Sequence, residues 1–254
     1  MPWATRRRFI ISLIVGAVVV AFLATVLIAT FKQVPSCADN IQNQGETGVD
    51  CGGPCPYLCV EQEQPPTVLF TKPLNSGVGR TDIVASVENK NATAAAKNVP
   101  YSVQLYGRDR ALIQTVSGTL DLPPGATVPV FIPGVSSGKQ VVADAFLEIA
   151  PSSPRWFQLT ADPRVIPLVS SAAQGGTANA PRIEAVLSNA SAAQLSNVRV
   201  IVFVRNEQGS IIAASSTIVP AIPAQGSARA TFTWNSAFGG TPASIEVMPV
   251  IPLP

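Results

Sequence analysis

One stretch of this chain recurs about 100 residues further on, and this repeat constrains the fold more than any other feature. DIVASVENKNATAAAKNVPYSVQLY (residues 82–106) aligns with RIEAVLSNASAAQLSNVRVIVFVR (residues 182–205), with Asn89 falling on Asn189. LPPGATVPVF (residues 122–131) likewise realigns with IPAQGSARATF. Because the matches keep their order along the chain, they predict two tandem copies of one small domain.

Each copy has the pattern of an all-β domain. Short runs of β-branched residues alternate with clusters of Pro, Gly, Asn and Ser, which is typical of sandwiches and barrels. Side chains of a strand point alternately to its two faces. One predicted strand therefore places Ile83, Ala85 and Val87 on a single apolar face. The next places Val99, Tyr101, Val103 and Leu105 opposite Pro100, Ser102 and Gln104. One apolar and one polar face suit a two-sheet sandwich, in which only the inner face is buried.

The second copy differs from the first on its outer face. Val198, Val200, Val202 and Val204 repeat the apolar inner face. Ile201 and Phe203 make the opposite face apolar as well. Two interpretations remain open: a loop or the neighbouring domain covers Ile201 and Phe203, or they form an exposed interface for a partner.

The repeats resemble the FxLyD-type immunoglobulin-like domain, a small sandwich of bacterial extracytoplasmic proteins. VQLYGRDRALIQT (residues 103–115) is similar to its strand, turn and strand, and LPPGATVPVF to the following Pro-Gly turn and strand. The second copy departs from this pattern, with Val204-Arg205 in place of Leu105-Tyr106. The resemblance implies an immunoglobulin-like sandwich for each copy.

The N-terminal region contains a candidate membrane anchor. From Phe9 to Phe31 the chain has 23 residues without a charged side chain, and about 20 such residues span a bilayer as a helix. Arg6, Arg7 and Arg8 precede this run, so the positive-inside rule predicts a cytoplasmic stub (residues 1–8) and an extracytoplasmic remainder. We predict a single-pass anchor in contact with the lipid bilayer.

Two alternatives to an uncleaved anchor remain. A signal peptide usually has an apolar region of about 7–15 residues and an A-x-A-like cleavage site; this run is longer and no such site closes it. VPSC (residues 34–37) loosely resembles a bacterial lipobox, which would make Cys37 a lipidation site.

All four cysteines lie in one short stretch, SCADNIQNQGETGVDCGGPCPYLC, directly after the predicted anchor. In an oxidising compartment such a cluster predicts two disulfides, and four cysteines allow three pairings. Zinc binding and free thiols are the alternatives, although the chain has no histidine and no C-x-x-C pair. The predicted disulfide residues are Cys37, Cys51, Cys55 and Cys59.

The same stretch is rich in polar side chains. Asp39, Asn43, Glu46 and Asp50 offer the oxygen ligands that calcium prefers, but they also suit turns, which the nearby glycines favour. The pattern C-x-D-x-x-x-N-x-x-E-T-x-x-D-C-G-G-x-C-x-x-x-C resembles a short cysteine-rich motif of bacterial envelope proteins. This resemblance implies an extracellular location next to an anchor, and no activity.

Catalytic and nucleic-acid-binding functions find little support. Histidine is absent, and no P-loop or G-x-G-x-x-G motif occurs. Asp144 and Glu148 are a conceivable glycosidase pair, but they are expected on the solvent face of a strand. Four of the 17 basic residues precede residue 33, which leaves 13 basic and 15 acidic residues and no nucleic-acid-binding charge. We predict no cofactor and no metal.

The sequence therefore predicts an all-β protein, with two tandem immunoglobulin-like β-sandwiches after one transmembrane helix and a small disulfide-rich module. The leading hypothesis is a non-enzymatic envelope protein with a structural or adhesion-type role and a protein or glycan partner. The alternatives are an accessory subunit of a membrane secretion or pilus assembly and a cell-wall carbohydrate-binding protein. The predicted divisions are 1–8 (stub), 9–31 (helix), 32–63 (module and linker), 64–160 (first sandwich) and 161–254 (second sandwich).

Overall fold

The computed structural model describes residues 3–31, 36–77, 79–138, 140–151 and 154–254. The chain divides into two compact units, Met1–Pro56 and Tyr57–Pro254. Lys32, which follows the predicted anchor, and Val34 and Pro35 of the lipobox-like segment lie outside the described residues.

The first unit begins with a helix, α1 (Trp3–Phe31). Its section Arg6–Ile28 is long and apolar enough to cross a membrane, at about 34 Å for 23 residues. None of this section is buried against protein. A helix that is apolar on all sides requires apolar surroundings, so its composition suits a bilayer. α1 starts before Phe9, where the predicted span begins, because alanine and arginine are good helix formers.

The second unit is built from β-strands, apart from a short 3-10 turn at Val60–Gln62. Thirteen strands occur among its described residues, in an order that repeats after the sixth with one short strand between the copies. They are β1 (Thr67–Gly77), β2 (Arg80–Glu88), β3 (Ala94–Gly107), β4 (Leu112–Leu122), β5 (Thr127–Ser136), β6 (Val142–Glu148), β7 (Trp156–Gln158), β8 (Leu168–Thr177), β9 (Ala180–Ser188), β10 (Leu195–Arg205), β11 (Ile211–Ile222), β12 (Ser227–Thr233) and β13 (Ser244–Val250).

The strands form four antiparallel sheets. Sheet 1 has the order β1-β2-β5, and sheet 2 has the order β4-β3-β6 with β7 also paired to β3. In the second copy, sheet 3 is β12-β9-β8 and sheet 4 is β11-β10-β13. Sheets 1 and 2 enclose one core and sheets 3 and 4 enclose another, so the fold is all-β with two sandwiches.

The inner faces are those that the alternating pattern predicts. Ile83, Ala85 and Val87 of β2 are fully buried, and so are Val103 and Leu105 of β3. The matching core of the second sandwich contains Ile183, Ala185, Leu187, Val198, Val200, Val202 and Val204. Burying one Val, Leu or Ile side chain stabilises the fold by about 1.5–3 kcal/mol. Together these contributions offset the conformational entropy that the chain loses on folding, in sandwiches that contain no disulfide.

Candidate functional site

The cysteines of the first stretch are oxidised. Cys37 and Cys55 form a disulfide with a Cα–Cα distance of 5.6 Å, and Cys51 and Cys59 are also disulfide-bonded. No free cysteine is present in the part of the chain that the structure describes. The prediction of two disulfides is confirmed, and the zinc alternative is wrong because bridged sulfurs supply no thiolate.

The carboxylates of the module bind backbone amides. Asp50 accepts hydrogen bonds from the N–H groups of Asp39 (3.0 Å) and Asn40 (2.9 Å), one on each carboxylate oxygen. Asp39 accepts from the N–H groups of Ser36 (3.1 Å) and Ile41 (2.9 Å). These bonds hold a compact loop without a hydrophobic core.

Glu46 and Asn43 complete this network. Glu46 is 6% exposed and accepts from the backbone N–H groups of Asn43 (3.3 Å) and Asp50 (3.2 Å) and from the Gln44 side chain (3.3 Å). The Asn43 amide donates to Asp39 at 2.8 Å, and this hydrogen bond, the largest influence, lowers the pKa of Asp39. Among these side chains, only Asn43 Oδ1 is buried without a donor in the described residues.

This geometry favours turn chemistry over a calcium site. Calcium takes six to eight oxygen ligands, whereas every carboxylate oxygen of Asp39, Glu46 and Asp50 already accepts a hydrogen bond. The backbone also follows a tight path, since a Cβ atom at Gly53 would collide with the carbonyl oxygen of Gly45. Only glycine fits position 53, where φ is +58°.

The outer face of sheet 2 carries exposed aromatic and acidic side chains. Phe146 is 59% exposed, and its ring lies edge-on to Tyr106 with the centroids 5.8 Å apart. The Tyr106 hydroxyl donates to Gln104 at 2.6 Å. Asp144 and Glu148 are exposed on either side of Phe146 along β6. We call these five residues the aromatic face.

Asp144 and Glu148 do not form a glycosidase pair. Four residues along a strand span about 13 Å, whereas catalytic carboxyl groups lie about 5–9.5 Å apart. Phe146 stands between them on the same face, and both point to solvent, as the sequence predicted. Their geometry provides no acidic pocket.

Ile201 and Phe203 are buried between the two sandwiches, at 2% and 1% exposure. They pack against Val84 and Phe131 on the outer face of sheet 1, and Phe70 joins the same cluster. We call this cluster the inter-sandwich interface. Of the two interpretations, cover by the neighbouring domain describes the structure, and Ile201 and Phe203 offer no open surface to another protein.

Polar contacts surround the inter-sandwich interface. Lys72 Nζ donates to the carbonyl of Ile211 at 2.8 Å, and Arg199 donates to the carbonyl of Phe131 at 3.0 Å. Near the C-terminal residues, Asp121 accepts from the N–H of Leu253 at 2.8 Å. Each contact joins a residue of the first copy to one of the second, so the sandwiches are fixed against each other.

A cavity of about 310 Å³ lies beside this interface. Its charged groups already have partners: Asp121 accepts from Leu253, and Arg164 pairs with Asp162 at 2.7 Å and donates to the carbonyl of Ile251 at 2.8 Å. The hydrogen bonds from Arg164 lower the pKa of Asp162. Tyr101 also lines the cavity, and burial raises the pKa of its hydroxyl although Arg199 is nearby. The cavity is therefore part of the interface between the sandwiches.

No family model matches the chain, and no curated protein matches it. Among solved structures, it is similar to a beta-glucuronidase from glycoside hydrolase family 2, with 13% sequence identity and a TM-score of 0.21. The similarity covers 82% of this chain and 25% of that protein. A similarity with so low a TM-score supports no conclusion about the fold or activity of this chain. The resemblances to FxLyD-type domains and to the cysteine-rich motif stay predictions.

Two buried asparagines organise the sandwiches in a way that sequence reasoning missed. Asn89 Nδ2 donates to the carbonyls of Ala94 (2.8 Å), Leu122 (3.3 Å) and Pro123 (2.7 Å). Asn189 Nδ2 makes the same three bonds in the second copy, to Ala193, Ile222 and Pro223. The repeated position of these asparagines in the two copies was the available signal.

The same network explains the sequons NAT at Asn91 and NAS at Asn189. Both asparagines are buried, and Asn91 Nδ2 donates to the carbonyl of Gln64 (2.8 Å) and to Asn89 Oδ1 (3.0 Å). A glycan on either amide nitrogen is incompatible with these bonds. The amides of Asn91 and Asn189 therefore shape buried turns.

Proposed function

We propose that this protein is a non-enzymatic, membrane-anchored envelope protein that presents two immunoglobulin-like sandwiches to a protein partner outside the cytoplasm. The observation that carries the proposal is the aromatic face. Phe146 is more than half exposed on a sheet, next to Tyr106 and between two carboxylates. Aromatic residues that are exposed on a rigid scaffold are frequent anchors of protein interfaces.

The rest of the chain supports a presenting role. The helix α1 is suited to hold the protein in a bilayer, and Arg6, Arg7 and Arg8 favour a cytoplasmic N-terminus. The disulfides suit an oxidising, extracytoplasmic compartment. The inter-sandwich interface makes both copies one body, so a partner meets a preformed surface and little ordering entropy is lost on binding.

The test uses the full chain in the membranes of the cells from which it comes. A photo-crosslinking residue replaces Phe146 in one variant and Thr231, an exposed outer residue of β12, in a matched control. We expect a protein adduct at position 146 that is absent at position 231 and that decreases when Tyr106→Ser is added. Equal adducts at both positions, or none, would overturn the proposal.

The identity of the adduct separates the alternatives. A subunit of a membrane secretion or pilus assembly would make this chain an accessory factor of that assembly. An adduct that is removed by cell-wall hydrolases but resists protease would replace the protein partner with a glycan. Glycan binding has its own support, since an aromatic ring flanked by carboxylates suits stacking and hydrogen bonding to a sugar.

A further inference from the structure

The strand β8 is an edge strand of sheet 3 and is open to solvent along its length. It pairs with β9 on one side, from Leu168 opposite Ser188 to Thr177 opposite Ala180. Nine of its ten residues are exposed, and Val169 is half-buried. Within the described residues, no backbone hydrogen bond reaches its other side. An exposed row of unpaired N–H and C=O groups is a template for another strand.

The other long edge strands carry features that oppose such pairing. Proteins protect sheet edges with charged residues and prolines, and each of these strands has at least one. They are β1 (Lys72, Pro73), β4 (Asp121), β5 (Pro129, Pro133), β6 (Asp144, Glu148), β11 (Pro220), β12 (Arg229) and β13 (Glu246, Pro249). The strand β7 has only three residues. Of these edges, β8 alone is long and has neither a charged residue nor a proline, with the sequence LVSSAAQGGT; its one register irregularity lies near its start, between Val169 and Ser171.

We propose that β8 pairs with β8 of a second copy of this chain, in antiparallel register, to form a symmetric dimer. An antiparallel strand pair is compatible with a two-fold axis, which brings the same surface of both copies together. Because β8 has no charged residue, self-pairing brings no like charges together. Sheet 3 would then continue across the dimer from three strands to six.

The shape of β8 also favours a second copy over an unrelated strand. The N-terminal end of β8 has bulky apolar side chains: Leu168 is 71% exposed, and Ile166 just before the strand is 50% exposed. The C-terminal end has small residues, Gly175 and Gly176, and a Cβ atom built at Gly175 meets nothing within 4 Å. In an antiparallel pair centred on β8, the bulky end of each copy faces the small end of the other. The exposed side chains of Ile166 and Leu168 would then be partly buried against the second copy.

Membrane anchoring also favours the dimer, and this consideration alone rests on the proposed function. Chains held in one bilayer by α1 share an orientation and a raised local concentration, which favours weak self-association. The pairing surface is separate in sequence and sheet from the aromatic face, so dimer formation and partner binding are tested independently.

The experiment measures disulfide crosslinking of the full chain in membranes. Ala172→Cys places a thiol near the centre of the proposed strand pair, where the two-fold axis sets Ala172 of one copy opposite Ala172 of the other, on the same face of the sheet. Ala143→Cys, an exposed alanine of edge strand β6, is the matched control. We expect mild oxidation to give a covalent dimer with Ala172→Cys and none with Ala143→Cys.

Charge variants decide whether β8 is responsible. Ala173→Lys or Ala173→Glu, each added to Ala172→Cys, places like charges at diagonal positions on one face of the strand pair and should reduce crosslinking to the level of the Ala143→Cys control. Coexpression of the Lys and Glu variants should restore it, because opposite charges then meet. Since Ala173 is exposed, neither change should alter thermal unfolding.

Three results would overturn the proposal. The first is absence of a dimer from Ala172→Cys at native expression levels. The second is a dimer that is insensitive to both charge variants, which would place association elsewhere, for example in α1. The third is a crosslink to a different protein, which would make β8 an acceptor for a donated strand. The photo-crosslink at position 146 should persist in all charge variants, so failure here leaves the proposed function standing.

Discussion

The ring of Phe203 lies edge-on to the ring of Phe70, with the centroids 6.3 Å apart and the planes at 66°, and this contact joins the two sandwiches. Phe70 belongs to β1 of the first copy and Phe203 to β10 of the second. Phe203 is 1% exposed although it lies on the outer face of its own sheet. The two copies are therefore packed against each other by apolar side chains.

Removal of this ring should destabilise the second unit as a whole. Phe203→Ala leaves a cavity in the inter-sandwich interface, and the expected loss in free energy of unfolding is about 3–5 kcal/mol. Urea unfolding of the full chain in detergent, followed by tryptophan fluorescence, measures it. Phe146→Ala removes the same side chain from an exposed position and should change stability by about 0.5 kcal/mol or less. Equal effects of the two variants would contradict the role of the interface.

The inner faces of the strands could be predicted from sequence, and the inter-sandwich interface could not. Alternation with a period of two identifies Val200 and Val202 as core residues from local pattern alone. Ile201 and Phe203 break the polar outer face, so a covered surface was also visible. The residues that cover this surface could not be predicted, because Val84 and Phe131 look like ordinary strand residues and lie more than 60 positions away in the sequence.

The asparagine network illustrates a second limit of the sequence. The match of Asn89 with Asn189 was apparent from the repeat, but the acceptors of Asn89 include the carbonyls of Leu122 and Pro123. Backbone carbonyls leave no trace in the residue type, so the role of this side chain appears only in the folded chain. The disulfide pairing could not be predicted for the same reason, because the spacing of the cysteines allowed three pairings.

Loss of either asparagine should cost similar amounts of stability. Asn89→Ala and Asn189→Ala each remove an amide group that donates to three carbonyls in a buried turn. Each unsatisfied buried group costs about 1–3 kcal/mol, so either variant should unfold at clearly lower urea concentration. Asn235→Ala, at an exposed position, is the control. A large effect in one copy only would show that the two networks are not equivalent.

The pKa of Asp39 should lie below its ordinary value of 3.8, because the Asn43 side chain donates to its carboxylate. A carboxyl group with a lower pKa in the folded state stabilises the fold above its unfolded pKa, and this contribution disappears as the pH falls through the folded pKa. The loop should therefore weaken at pH values below about 4. NMR titration checks the shift, and Asn43→Ala should raise the pKa of Asp39 towards its ordinary value. An unchanged pKa in this variant would contradict the assigned cause.

Calcium should leave the cysteine-rich module unchanged. Asp50 holds the N–H groups of Asp39 and Asn40, so coordination would first break both hydrogen bonds. We expect identical amide NMR spectra for the module in EDTA and in millimolar calcium. Asp50→Asn serves as the comparison, because it weakens the loop without a metal. A saturable calcium-dependent shift that is lost in Asp50→Asn would establish a metal site instead.

The anchor prediction concerns both retention and orientation. If α1 spans the bilayer uncleaved, the chain should resist extraction by alkaline carbonate and keep its original N-terminus by mass spectrometry. With the positive residues inside, Ser236→Cys in an exposed loop of the second sandwich should react with an impermeant maleimide in intact spheroplasts, while an N-terminal epitope stays protected.

Replacement of Arg6, Arg7 and Arg8 by glutamate removes the charge bias and should reduce this maleimide labelling, whereas replacement by lysine should preserve it. A mature form that starts between Ala24 and Cys37 would show that the helix is a cleaved signal. Labelling that is indifferent to the charge of residues 6–8 would show that another feature sets the orientation.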